Sequence, residues 1–175
     1  MKRKSIATYI VVAVLAMFGI GGIVAGSIAI NMVDNNLKAQ KITFGEDTKW
    51  SGQQVTNGWD AYHFQQVIDG HVKAALKPVG MTTYEEVSAA ARATVTDKNP
   101  AGDPKLMGLR RTALDGQLLR GTLFSSFAWW MVGWVGIAAG VAFSFLAVLT
   151  FFIARPKEEK LFFPVSETTR EMVSV

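Results

Sequence analysis

A chain of 175 residues is long enough for one ordinary domain, but half of its residues are hydrophobic, and these gather in two blocks near the ends. The net charge of +4 leaves no nucleic-acid footprint: Lys2, Arg3 and Lys4 supply three, the segment 34–120 holds eleven basic and ten acidic residues, and the segment from Arg155 holds four of each. There is no cysteine, which excludes disulfides, thiolate metal sites, covalent haem attachment and iron–sulfur clusters.

The elements follow in chain order. Residues 1–5 form a basic flank. Residues 6–33 carry no charge, and their apolar core from Ile6 to Ile30 exceeds the roughly 20 residues that cross a hydrocarbon layer, so a first transmembrane helix is expected there. Ser27-Ile28-Ala29 resembles a signal-peptide cleavage site, yet the apolar stretch is longer than a signal core of about 7–15 residues. Residues 34–120 have ordinary charge density and read as a soluble insert. Within them, Lys41–Phe44 alternates polar and apolar, the pattern of a short strand, and 49–58 is a polar loop. Phe64, Val67, Ile68, His71, Val72 and Ala75 follow a helical period, predicting a helix from about Trp59 to Leu76 capped by Asn57 or Asp60 and stopped by Pro78 and Gly80. A second helix is expected to begin at Thr82 or Thr83, where Thr82-Thr83-Tyr84-Glu85 reads as a capping box, and to run to about Ala93. Residues 96–104 form a loop, and a third helix starts near Leu106 and continues through Arg120, with Gly116 and Gly121 as points where it bends.

Residues 121–154 again carry no charge. They supply a helical stalk and a second span at about Phe127–Ile153. Basic residues precede the first span and follow the second (Arg155, Lys157, Lys160), so both termini are expected in the cytoplasm and the insert outside. Trp129, Trp130 and Trp134 are expected near the outer headgroups, with Arg120 in a basic rim that also holds Arg110 and Arg111. The expected fold is therefore a mainly α membrane protein of the plasma membrane, in which two transmembrane helices flank a small helical extracytoplasmic domain with a short strand.

Glycines punctuate both spans with one spacing: Gly19, Gly22 and Gly26 in the first, Gly133, Gly136 and Gly140 in the second. Each set falls on one helix face, where small residues let backbones approach closely in lipid. These six are the expected packing residues, joining the two spans or meeting a partner's helices. Neither span contains Asp, Glu, Lys, Arg or His, which argues against a pump, a transporter or haem ligation.

Catalytic chemistry finds little support. His63 and His71 lie about 12 Å apart along a helix and about 80° around it, too far for one metal ion. Asp60 and His63 lack a third ligand. No nucleophile elbow, phosphate loop or H-E-x-x-H motif is present. No catalytic residue, metal or cofactor is expected. In the tail, 155–175, Leu161, Phe162 and Phe163 form an apolar cluster expected to dock on the bilayer or on a partner subunit.

Leu37–Thr43, Asp60-Ala61-Tyr62, Thr83–Val87 and Leu119–Ser126 occur in an order around two spans that resembles the actinobacterial two-span membrane proteins commonly labelled aromatic ring-opening dioxygenase LigA. Ring-opening dioxygenases of that kind need non-haem iron held by converging histidines and a carboxylate, a set this chain does not offer. The build is also similar to that of accessory subunits in actinobacterial respiratory supercomplexes. What the resemblance implies is a non-catalytic accessory subunit of a cytochrome bc–oxidase assembly, with other integral membrane subunits and the lipid bilayer as partners and no nucleic acid. The competing expectation is an envelope sensor whose outer domain binds a ligand.

Overall fold

The computed structural model describes residues 2–154, and the protein is mainly helical over them. Four helices are present: α1 (Lys2–Gln40), α2 (Gly58–Leu76), α3 (Tyr84–Ala93) and α4 (Pro104–Ala154), with a 3₁₀ turn at Lys77–Val79 after α2. Helices α1 and α4 are long and apolar enough to cross a membrane, and only 11% of each apolar window is buried within the protein, as expected of surfaces that face lipid. Both are unbroken. Helix α1 continues past Val33 to Gln40, and α4 runs 51 residues from the domain through the second span.

No sheet forms among the described residues, which corrects the strand expected at Lys41–Phe44. An isolated antiparallel bridge joins Thr43 to Gln54. Around it Phe44 N donates to Gln53 O at 2.9 Å and Val55 N to Ile42 O at 2.8 Å. Pairing cannot extend backward because Lys41, with φ of 52°, sits in the left-handed conformation that closes α1. On the other arm Gly52 turns the chain with φ of 74°. The short loop still packs inward: Phe44 and Val55 join Leu37 of α1, Ala61 of α2 and Leu123 of α4 in one buried cluster.

Local chemistry sets the other boundaries. Asn57 caps α2 by accepting from Asp60 N, and the Asp60 carboxylate accepts in return from Thr56 N and Asn57 Nδ2. Thr83 and Glu86 form the capping box of α3, one residue later than the Thr82–Glu85 pair. The shift follows from packing: starting at Tyr84 buries Val87, Ser88 and Ala91. Asp103 caps α4 by accepting from Leu106 N at 2.9 Å, with Pro104 at the first helical position.

The domain is assembled on the amino-terminal half of α4. Helix α2 runs antiparallel along it: Trp59 meets Phe127 and Trp130, Asp69 meets Arg120, and Val72 meets Gly116. A second buried cluster, Val72, Leu76, Val87 and Ala113, locks α2 and α3 to the start of α4.

Candidate functional site

The two glycine sets lie against each other. A methyl group placed on Gly22 would meet Gly136 O at 2.9 Å and Gly140 Cα at 3.1 Å. One on Gly26 would meet Gly133 O and Ile137 N, and one on Gly19 would meet Ser144. From the other side, Gly140 faces Gly19 O and Ile23 N, and Gly133 faces Ile30 and Gly26 O. Gly136 is the loosest of the six, with its nearest neighbour at 3.4 Å, an ordinary van der Waals contact. The register is antiparallel: as residue numbers fall in α1 they rise in α4, bringing Ile6 level with the last residues of α4. In lipid the hydrophobic effect does not separate helix from solvent, so this backbone proximity and its dispersion contacts hold the pair.

Beside this seam lies an open groove of about 580 Å³, bounded by Ala29, Met32 and Val33 of α1 and by Ser125, Ser126 and Trp129 of α4. Small side chains on both helices leave this space, and its lining is apolar except for the serines and Asn36 at one end.

On the opposite flank the aromatic residues converge. Trp130 lies across Gly58, where an added methyl would come within 2.6 Å of its Cβ. The indole Nε1 of Trp130 is buried, and this residue packs α2 onto α4. Trp129 and Trp134 remain 62% and 48% exposed. Trp129 borders the groove, and Trp134 lies beside Trp130 at 5.8 Å between ring centroids. Trp59, absent from the expected set, is 48% exposed and touches Phe127, Trp130, Tyr62 and His63. Its signal was in the sequence: Trp59, Tyr62, His63 and Phe64 crowd the first turns of α2 as Phe127, Trp129, Trp130 and Trp134 crowd α4.

The polar candidates are mostly spent on structure. His63 stacks on Trp50 at 4.4 Å, and Lys49 Nζ covers the Trp50 ring at 4.3 Å. His71 Nε2 lies 2.7 Å from Asp47 Oδ2, an exposed contact that ties the 45–50 loop to α2 and holds the Asp47 carboxyl below its ordinary range. Asp60 is occupied at the cap of α2. Arg120 turns to Asp69 at 2.7 Å, a half-buried pair with 28% and 25% side-chain exposure, while Arg110 Nε donates to Ser88 Oγ. Only Arg111 of the basic rim stays out in solvent, 4.0 Å from Asp115. No three His, Cys, Asp or Glu side chains gather in metal-binding geometry among the described residues. Gly58 and Gly116 are close-packing positions that sequence reading had not marked as such. Leu161, Phe162 and Phe163 lie outside the described residues.

Comparison with protein-family models, with curated proteins and with solved structures finds no match for the chain.

Proposed function

We propose that this protein is a two-pass plasma-membrane subunit, with both termini cytoplasmic and the α2–α3 domain outside, that serves a larger membrane complex without catalysing a reaction. The observation that supports this reading best is the continuity of α4. One 51-residue helix carries the second span and also forms the floor on which α2 and α3 pack. A domain built this way moves with its span as one stiff post. Such a post suits a subunit that fixes its neighbours' positions in and above the bilayer.

The orientation rests on the basic residues at positions 2–4 and 155–160. The groove beside the glycine seam gives a helix of a neighbouring subunit a place to lie. The complex we name is the actinobacterial cytochrome bc–oxidase supercomplex, on the resemblance of this chain to two-span actinobacterial proteins. Purification of the tagged protein from its native membrane in mild detergent, with mass spectrometry and a haem spectrum of the eluate, tests the proposal. Stoichiometric oxidase and cytochrome subunits are expected. A colourless, partner-free protein overturns it and favours an envelope sensor.

A further inference from the structure

The charge-free part of α1, residues 6–33, is about 42 Å long at 1.5 Å per residue. That is close to the full thickness of a bilayer including headgroups, about 40–45 Å, of which about 30 Å is hydrocarbon. With Ile6 at one edge of the hydrocarbon, about 20 residues carry α1 to its other edge near Gly26. The antiparallel register puts Gly133 of α4 at that same level, since Gly26 and Gly133 are in contact. Trp130 and Phe127, one and two turns beyond Gly133, therefore stand in the outer headgroup layer.

Helix α2 begins at this level. Trp59 lies 5.3 Å from Phe127 and 6.4 Å from Trp130, and Tyr62 lies 4.9 Å from Phe127. From there α2 climbs away from the bilayer along α4, past Asp69–Arg120 to Val72–Gly116. Trp59 is the exposed member of the cluster, and it is not part of the buried core of the domain.

We infer that the first turns of α2 are planted in the headgroup layer, with Trp59 and Tyr62 extending the tryptophan belt of α4 sideways across the lipid surface. The occupant of this aromatic face is lipid. The face is continuous with the span that meets the bilayer, and an amphipathic indole gains most where one end is apolar and the other wet. The domain is thus seated on the membrane by α2 and not held clear of it on the stalk at 121–126. This inference rests on the membrane-spanning reading above but not on which side the domain faces.

The absence of native cysteine makes the test direct. Trp59→Cys, Tyr62→Cys, Gly70→Cys and Val141→Cys are each labelled with an environment-sensitive maleimide fluorophore. The full-length chains are then reconstituted in phosphatidylcholine–phosphatidylglycerol vesicles containing headgroup-proximal doxyl lipid or an aqueous nickel quencher. Gly70 is the control in water: it is exposed, lies on nearly the same face of α2 as Trp59, and sits about 16 Å farther along the helix. Val141, exposed on the span, reports membrane insertion itself. Labels at 59 and 62 are expected to be quenched by doxyl lipid at least three-fold more than the label at 70, with the reverse order for nickel. Tyr62→Cys keeps Trp59 in place, so a misfolded Trp59 variant does not end the test. Lipid quenching at 141 with water-like behaviour at both 59 and 62 overturns the inference alone. A label at 141 that lipid does not quench overturns the membrane reading beneath it.

Discussion

Neighbouring glycines in the first span do different things. Gly22 faces the backbone of Gly136 and Gly140, whereas a methyl group on Gly21 would meet nothing within 4 Å. Gly22→Ala must therefore push two backbones apart, because no flexible side chain is present to move aside. We expect a cost of about 1–3 kcal/mol, the usual range for overpacking. Gly21→Ala gains helix propensity with no clash and is expected to be neutral or stabilising by up to about 1 kcal/mol. Thermal unfolding of both variants in one detergent checks the contrast. Equal effects of the two substitutions would mean that the seam is not a close contact. The spacing in the sequence identified the glycine faces. It did not identify the register, because three glycines on each helix fit several antiparallel alignments. Side chains outside the pattern, Ser144 against Gly19 and Ile30 against Gly133, complete the alignment.

Among the elements, the helix boundaries were legible where a local chemical signal marks them and obscure where packing decides. Of the two caps the sequence offered for α2, Asn57 is the one used, and Pro78 and Gly80 follow its end as read from the sequence. The run Thr82-Thr83-Tyr84-Glu85-Glu86 offers two capping boxes, and burial of Val87 and Ala91 selects the one with Glu86. The strand failed for a related reason: alternation at Lys41–Phe44 is real, but the left-handed end of α1 leaves no residue upstream to pair. Tertiary pairs such as Asp69–Arg120 have no local signal, since their partners lie 51 positions apart in the sequence.

The box at α3 makes a pH prediction. Glu86 accepts from Thr82 N at 2.7 Å and Thr83 N at 2.9 Å, and these backbone bonds hold its carboxyl below the ordinary glutamate range. A carboxyl whose pKa is depressed by folding contributes stability above its unfolded value, and that contribution is lost as pH falls through the folded value. Amide protection in the first turn of α3, corrected for intrinsic exchange, is therefore expected to weaken as pH drops below about 4.5, the ordinary value. Glu86→Gln keeps the cap geometry available but cannot titrate, so its protection is expected to be flat over the same interval. The same fall in protection in Glu86→Gln would place the titrating group elsewhere.

At the scale of the whole molecule, two apolar helices, a glycine seam and a domain packed on the upper half of α4 describe one continuous body. Length and hydropathy in the sequence sufficed to mark the two helices that are long and apolar enough to cross a membrane. The helix expected to continue through Arg120 does so, and α4 runs without interruption from the domain into the apolar segment; what the sequence did not show is that α2 packs along this same stretch. Both helices are proposed to cross the membrane, with the domain on the far side from the termini. Single cysteines at Ser5, Lys98 and Ser166, probed with a membrane-impermeant maleimide in intact cells and after permeabilisation, measure this directly. Labelling of Lys98→Cys in intact cells, with Ser5→Cys and Ser166→Cys labelled only after permeabilisation, is the predicted result. Labelling of all three on one side of the membrane, or of Lys98→Cys only after permeabilisation, would contradict it.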